Sequence, residues 1–405
     1  MAAGPDTVTD IPRVLILSDE GPQTSTAGGL LLHRLFADFP ADRLRVLTRY
    51  VPTVGDPLPG VAYRRLTPPW QRFEKSRFHR AMRSMRAFGL VPETSLREID
   101  RLLEGFVPDV VFCVMQHAAF YDAAAHFARS RRVPLVVAVH DVNAEFEEVY
   151  PFARRAAQGR DGAFYRFASR RLCISPEMER FCFQCFGAPG SVLYPNRSEG
   201  LEPRPLELSG DLRRGPALSV GFAGNLNYGY GEGILQMLAA VRAAGARLVL
   251  YGHPPAGAAA PLASALDCCE FRGFVTSDKA WEGLKRDCDA VWLPYPNPAG
   301  RMERLYRHHF PSKLPEYLAL GMPVIVTGPD FATGFTWARR NLGPELCPGD
   351  AGELESLLRR LAGDRGLRLN AAAKGLEAGG RDFDPQKIKS EFFSHLSAAV
   401  AGAGS

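Results

Sequence analysis

Short, continuous apolar segments recur along this chain, and a stretch with helical character follows most of them. They lack the apolar–polar alternation of half-exposed strands, so they are typical of strands buried on both faces of a parallel sheet. Strands that alternate with helices predict an α/β fold. The predicted strands are 14–18, 44–48, 109–114, 135–139, 172–175 and 192–194 in the first half, and 218–223, 247–251, 270–272, 290–293 and 323–327 in the second.

The alternation lapses once, after Pro195-Asn196, in a segment rich in proline, glycine and charge. We interpret this segment, 201–215, as a linker between two doubly wound, Rossmann-like domains, 1–200 and 216–384. A Gly-rich break at 375–380 precedes a last predicted helix, 385–400. Two such domains in tandem predict a ligand cleft at the carboxyl ends of their strands.

Composition narrows the class of protein. Of the 405 residues, 46% are hydrophobic and 23% charged, as in ordinary globular proteins. No apolar run is long enough for a membrane span, and the first ten residues contain no apolar signal core, so we expect a cytoplasmic protein. The net charge of +5 permits a phosphate-rich ligand or an anionic membrane surface but does not require nucleic acid.

The eight cysteines indicate reduced thiols rather than a disulfide framework, because most lie inside apolar segments. Cys182 and Cys185 have the spacing of metal ligands but no second pair, so we interpret them as helix packing. The cysteines are Cys113, Cys173, Cys182, Cys185, Cys268, Cys269, Cys288 and Cys347.

The most informative segment is 310–326, which reads as a short helix from Pro311-Ser312-Lys313 to Gly321, followed by a buried strand. Helix amides beside a lysine favour binding of an anion such as a nucleotide diphosphate. Only seven of the 49 basic residues are lysines, which makes Lys313 stand out. Glu316, one turn on, is placed to bond a sugar or ribose hydroxyl. The alternative is an amphipathic helix with a solvated Lys and Glu.

Four loops follow predicted strands and are candidates to line the cleft. The first contains Gly28 and Gly29, whose lack of side chains admits a ligand, although a plain connection fits equally well. The second contains His140, which ends an apolar strand and is either a ligand contact or a structural histidine; His117 is a weaker candidate of the same kind.

The other two loops lie in the second half. Gly224 and Asn225 begin a glycine-rich loop that would admit a phosphate, but its spacing is not that of a dinucleotide fingerprint. Gly273 and Phe274 offer backbone amides and an aromatic ring to a nucleobase.

Segment 70–88 predicts a basic amphipathic helix. Trp70, Phe73, Ala81, Met85 and Phe88 lie near one helical face, and arginines and a lysine fill most other positions. Such a helix can lie in an anionic membrane interface. The alternatives are a surface helix docked on its own domain and, with least support, nucleic-acid binding.

The second half contains the motifs Val220–Gly224, Phe271–Val275, Asp289–Pro294 and Pro311–Ile325. Through these motifs, which occur in the order of the family, the second half resembles the GT-B glycosyltransferases of the retaining family 4 type. The first half resembles them more loosely, through Ala27-Gly28-Gly29, Val139–Asp141, Cys173–Ser175 and Val192–Asn196.

The resemblance implies transfer of a sugar from a nucleotide-diphosphate donor to an acceptor hydroxyl with retention, no enzyme nucleophile and no obligatory metal or other cofactor. It implies that the first domain presents the acceptor (a glycan, a lipid-linked acceptor or a small molecule) and that helix 385–400 packs back on that domain. His140 would contact the donor sugar. The residues that would bind the rest of the donor are Gly28, Gly29, Gly224, Asn225, Gly273, Phe274, His308, Ser312, Lys313, Leu314 and Glu316.

One position departs from the family pattern. Two glutamates with seven residues between them are usual, but His308 stands where the first would be, with Glu303 nearby as a second possible substitute. Two alternatives therefore stay open: a sugar-nucleotide 2-epimerase on the same fold, and a non-catalytic nucleotide-sugar-binding subunit of a transferase complex.

Overall fold

The computed structural model describes residues 11–52, 57–70, 73, 76–141, 148–205, 215–227, 229–265, 267–297 and 302–403. Its contacts divide the chain into two units: Met1–Pro195 with Gln386–Ser405, and Asn196–Pro385. Most of the expected linker, 206–214, lies outside the described residues. Within those described ranges, no helix is long and apolar enough to cross a membrane.

The first unit contains a parallel sheet of seven strands in the order β3-β2-β1-β4-β5-β6-β7. The sequence analysis missed β3, an edge strand in which only Tyr63 is buried. The strands are β1 Val14–Leu17, β2 Leu44–Thr48, β3 Ala62–Arg65, β4 Val110–Val114, β5 Leu135–Val139, β6 Arg170–Cys173 and β7 Ser191–Val192.

Six helices complete the first part of this unit: α1 Ala27–Phe36, α2 His79–Ala87, α3 Leu96–Leu103, α4 Ala118–Arg131, α5 Arg154–Phe167 and α6 Pro176–Phe186. Ser175, expected in a strand, instead caps α6: its hydroxyl accepts from the Met178 amide at 3.0 Å. Cys182 is buried on α6 and Cys185 half-buried, as helix packing predicts. All eight cysteines are free thiols.

Helix α2 covers only the end of segment 70–88, and 71, 72, 74 and 75 lie outside the described residues. Its arginines serve their own domain. Arg86 pairs with Asp122 at 3.3 Å, Arg83 pairs with Glu148, and Arg80 donates to the carbonyl of Val149. This geometry favours the docked helix over one whose arginines face outward.

The second unit contains a parallel sheet of five strands in the order β10-β9-β8-β11-β12. In both sheets the order reverses beside the first strand of the unit, which makes β1/β4 and β8/β11 the switch points where ligands bind in open α/β sheets. The strands are β8 Ser219–Ala223, β9 Arg247–Tyr251, β10 Cys269–Gly273, β11 Ala290–Pro294 and β12 Val324–Thr327.

The expected glycine break at 375–380 is wrong, because the helix continues through it. A Cβ on Gly379 would lie 3.0 Å from the Leu318 Cβ, and one on Gly375 3.4 Å from Leu318 Cδ2. The two glycines therefore permit close helix packing rather than ending a helix. The helices of this unit are α7 Tyr230–Ala243, α8 Ser277–Asp287, α9 Glu303–His308, α10 Lys313–Ala319, α11 Thr333–Asn341, α12 Ala351–Gly363 and α13 Arg365–Asp382.

The last helix, α14 Pro385–Ala403, completes the core of the first unit. The ring of Phe392 lies 5.0 Å from that of Phe36 and 5.4 Å from that of Phe112, both edge to face. All three rings are fully buried. Edge-to-face pairs of this kind add to the stabilisation from apolar burial.

Two adjacent glycines of helix α13 allow substitutions with opposite expected effects on stability. A Cβ on Gly380 meets no atom within 4 Å, so Gly380→Ala should raise the free energy of unfolding by about 0.4–1 kcal/mol through lower entropy of the unfolded chain. Gly379→Leu should lower it by about 1–3 kcal/mol, because the new side chain overpacks Leu318. Urea unfolding measures both, and a shift in the same direction for the two variants would contradict this packing.

Candidate active site

The two strongest sequence motifs of the second unit meet where β8 ends. Gly224 follows β8 with φ +147°, and a Cβ there would lie 2.1 Å from Cε of Lys313. Only glycine accommodates both this backbone conformation and the lysine packed on it. The structure thus brings Gly224 and Lys313 together at the β8/β11 switch point.

Lys313 is a sheltered cation. Its Nζ lies 4.7 Å from the ring centroid of Tyr230 and 6.0 Å from that of Phe222. Within the described ranges no carboxylate pairs with it, and burial lowers the pKa of its ammonium from 10.5 to about 8. A positive charge held by aromatic rings without an acidic partner is suited to bind an anion.

Tyr317 fixes the helix that carries this lysine. Its hydroxyl accepts a hydrogen bond from the Ala223 amide at 2.9 Å and donates to the Ala223 carbonyl at 3.3 Å. Tyr317 lies one turn after Lys313 and is fully buried, so α10 is held at the end of β8. The sequence analysis gave Tyr317 no role.

The start of α10 differs from the expected cluster of exposed amides. The helix has only seven residues, and its Leu314 amide donates to the Pro311 carbonyl at 3.1 Å. Ser312 is half-buried at the N-cap, and its side chain makes no capping bond. Lys313 therefore provides the clearest anion-binding feature of this segment.

The sequence analysis missed Tyr230, which lies beside Lys313, and two further tyrosines that pack in a row from Tyr230. The rings of Tyr230 and Tyr295 lie 5.8 Å apart, and those of Tyr295 and Tyr306 lie 4.8 Å apart. Burial raises the pKa of each hydroxyl above its usual value, so all three stay neutral at physiological pH. The signal that could have found two of them is position, since Tyr295 follows β11 directly and Tyr230 begins the helix after the β8 loop.

The side chain of Glu316 is buried inside the second unit, to which it belongs. It is 2% exposed, and its Oε1 accepts from the Ser198 amide at 3.2 Å. Burial of the neighbouring Arg197 lowers the pKa of its guanidinium, and the negative charge of Glu316 opposes this shift. The ribose contact of Glu316 stays a prediction.

The position of the missing glutamate lies at the end of α9. His308 is the last residue of this helix and is half-buried. Glu303, the other possible substitute, is exposed and pairs with Arg307 at 2.7 Å. This ion pair, on an outer turn of α9, gives Glu303 a local role.

The expected nucleobase residues lie at the end of β10. Gly273 has φ +73° and nothing within 4 Å of a Cβ, and Phe274 is 69% exposed. The ring of His253, after β9, stacks on Phe274 at 4.5 Å and 10°. Asn225 is exposed, and its side chain accepts from the Asn227 amide at 2.9 Å.

The glycine pair of the first unit lies inside α1 rather than in the loop before it. A Cβ on Gly28 would lie 2.5 Å from the Glu20 carboxylate, and the Gly29 amide donates to the Thr26 hydroxyl at 3.2 Å. The pKa of Glu20 is raised, chiefly by burial and further by Asp19 and Asp141. These glycines therefore make room for groups of their own loop, and their donor contacts stay predictions.

The two histidine candidates, His140 and His117, each follow a strand of the first unit. His140 follows β5 and is half-buried, and its neighbour Asp141 is close enough to Glu20 to raise the pKa of that carboxyl. His117 is the N-cap residue of α4, after β4. Across the described ranges, no group of three or more His, Cys, Asp or Glu side chains is arranged to hold a metal ion.

Two parallel α/β units with this strand order define the GT-B fold, and solved structures share it. HepE of Anabaena, crystallised with UDP, has a TM-score of 0.63 at 17% identity, covering 95% of this chain and all of that one. Sucrose-phosphate synthase from Thermosynechococcus elongatus gives 0.63 at 14%, covering 96% and 100%. The lipopolysaccharide outer core galactosyltransferase WaaB gives 0.56 at 13%, covering 96% and 99%.

Residues 23–196 match the family described as the glycosyl transferase 4-like domain. This match over 23–196 bears out the expected resemblance to glycosyltransferases and the expected transferase class, and the solved structures bear out the expected GT-B fold. No curated protein is significantly similar to it in sequence.

Replacing Lys313 should stabilise the free protein. Lys313→Met removes a poorly solvated charge and should raise the free energy of unfolding at pH 7 by up to about 3 kcal/mol. This value converts the fall in the pKa of Lys313 from 10.5 to about 8, at about 1.36 kcal/mol per pKa unit. The folded state releases its proton near pH 8 and the unfolded state near pH 10.5, so wild-type stability recovers between these values. Denaturant unfolding at pH 7 and 9.5 should show that the free energies of unfolding of Lys313→Met and the wild type differ less at the higher pH. An equal difference at the two pH values would contradict this prediction.

Proposed function

We propose that this chain transfers a sugar from a nucleoside-diphosphate sugar to an acceptor hydroxyl, with retention of anomeric configuration. The observation that carries the proposal is the Lys313 ammonium, sheltered by Tyr230 and Phe222, without a carboxylate partner in the described part of the chain. It lies at the switch point of a transferase fold, where a diphosphate would meet it. HepE, on a similar fold, was crystallised with UDP and with UDP and glucose, which supports this donor class.

In the proposed reaction the bond between the anomeric carbon and the diphosphate oxygen breaks, and the diphosphate leaves with the electron pair. The acceptor hydroxyl bonds to the same face of that carbon and passes its proton to the departing diphosphate oxygen. Lys313 offsets the negative charge that builds on this oxygen, which is a stronger interaction in the transition state than in the ground state. The step then requires neither an enzyme nucleophile nor an obligatory metal.

The environment of Lys313 fits this role. Desolvation weakens the competition from water for its ammonium, so an arriving diphosphate gains more from the charge than it would at an exposed lysine. Tyr230 beside it, and Tyr295 and Tyr306 behind Tyr230, are neutral and place no negative charge against the ligand. We assign the first unit to the acceptor and His140 to the transferred sugar, and the contact of segment 70–88 with a membrane also remains a proposal.

A thermal-shift panel with UDP, GDP, ADP, CDP and dTDP, each with and without magnesium, tests the donor class. A ligand that binds only the native state raises the melting temperature. A shift with one base that does not depend on magnesium supports the proposal. No shift with any of them would overturn it, and conversion of the nucleotide sugar to its 2-epimer without an acceptor would replace transfer by epimerisation.

Lys313→Ala should weaken binding of the preferred nucleoside diphosphate by about 1.5–3 kcal/mol, as expected for loss of a charged hydrogen bond. Calorimetry measures this loss, with Lys374→Ala as the control, since Lys374 pairs with Glu345 on the surface. Wild-type affinity should also fall as the pH rises above about 8, where free Lys313 loses its proton, and the alanine variant should lack this decline. Unchanged affinity in Lys313→Ala would remove Lys313 from the site.

His140→Ala should lower turnover by about 10²-fold or more while sparing affinity for the nucleoside diphosphate, because the proposed contact is with the sugar. Steady-state kinetics and calorimetry on the same preparation separate the two effects. His126→Ala is the matched control, since His126 is a half-buried histidine of the first unit that pairs with Glu93. Full activity of His140→Ala would refute the assignment.

A further inference from the structure

Both ends of the apolar stripe of helix α2 are exposed. Phe78, Ala81, Met85 and Phe88 follow the spacing of one helical face. Phe78 is 50% exposed and Phe88 49% exposed, whereas Ser84, on another face, is 3% exposed. A surface helix normally turns such a stripe toward its core.

The opposite face explains this orientation. The side chain of Arg86 is only 12% exposed, since it pairs with Asp122 and donates to the Pro69 carbonyl at 3.2 Å. The side chain of Arg83 is 17% exposed and pairs with Glu148. The helix is therefore attached to its domain through polar bonds, which leaves the apolar stripe for another contact.

A second element extends the exposed apolar area. The ring of Phe152, just before α5, is 72% exposed and stacks on Phe88 at 6.2 Å and 13°. Tyr150 stacks on Phe152 at 5.7 Å and 14° and is 39% exposed, and Leu90, after α2, is 62% exposed. We call Phe78, Phe88, Leu90, Tyr150 and Phe152 the aromatic surface.

Arginines border the aromatic surface. Arg77 lies over the ring of Phe78 at 4.8 Å, and Arg154 and Arg155 follow Phe152 in the first turn of α5. All three are exposed, and within the described ranges none of them has a carboxylate partner. The nearby acids Glu148 and Asp122 are already paired with Arg83 and Arg86. Counted over the residues that the structure describes, the border therefore has a net positive charge.

We propose that the aromatic surface docks on an anionic lipid bilayer. Aromatic side chains enter the headgroup region of a bilayer, and arginines beside them contact lipid phosphates. A contiguous exposed apolar area is unusual in a monomeric domain, and the unpaired arginines specify the sign of the charge that covers it. The docking residues thus differ from Arg83 and Arg86, whose contacts belong to the domain itself. Arg80 lies over the ring of Tyr150 at 5.5 Å and belongs to the border of the aromatic surface.

Co-sedimentation with phosphatidylcholine vesicles, with and without phosphatidylglycerol, tests the proposal. The wild type should bind the anionic vesicles, and binding should weaken with salt. Phe88→Ser/Phe152→Ser should lower the partition coefficient by roughly tenfold or more through lost apolar insertion. Arg154→Gln/Arg155→Gln should lower it on the order of 20-fold through lost attraction to the lipid surface.

Two control variants are matched in chemistry but lie elsewhere. Phe183→Ser removes an exposed ring of α6, and Arg339→Gln/Arg340→Gln removes two exposed arginines of α11; both should bind vesicles like the wild type. Circular dichroism and melting temperature establish that each variant is folded. The assay uses no nucleotide or acceptor, so its outcome is separate from that of the proposed transfer.

Absence of wild-type binding to anionic vesicles would overturn the proposal, as would equal losses in the control variants. Sedimentation velocity without lipid addresses a second copy of the chain as the occupant. Self-association that Phe88→Ser/Phe152→Ser abolishes, with no vesicle binding, would assign the surface to a dimer instead.

Discussion

The packing of Lys313 on Gly224 is the contact on which the proposed chemistry depends. It joins the loop after β8 to the helix before β12, and Tyr317 holds the same two elements one turn further along. The lysine reaches its place only because Gly224 has no side chain and a left-handed backbone. A desolvated charge with no acidic partner among the described residues costs stability, and such a cost is characteristic of binding sites rather than of structural lysines.

Much of the fold could be predicted from the sequence because parallel strands buried on both faces read as continuous apolar runs. Segments 44–48, 135–139 and 247–251 match the observed strands residue for residue. The sequence analysis did not predict β3, because this edge strand contains Arg64 and Arg65 and therefore has no continuous apolar run. The glycines at 375 and 379 misled the prediction, since the reason for them is Leu318 on another helix, which no local pattern reveals.

The candidate site was predictable only in part. Position at a strand end identified Gly224, Gly273 and His140, and the rarity of lysine identified Lys313. The tyrosines around Lys313 and the interaction of Glu316 with Ser198 depend on side-chain directions that spacing does not specify. The same holds for α2, where the helical wheel showed an apolar and a basic face but not that Arg83 and Arg86 point inward.

Helix α14 gives this chain an unusual order of assembly. The first unit is interrupted between Pro195 and Gln386, with the whole of the second unit inserted there. Phe392 packs against Phe36 and Phe112, so the core of the unit that is synthesised first stays open until Phe392 has been synthesised. The inserted unit has all of its own strands well before then. During synthesis, the later unit is therefore able to fold to completion first, while the earlier one presents unfilled apolar surface of the kind that chaperones bind.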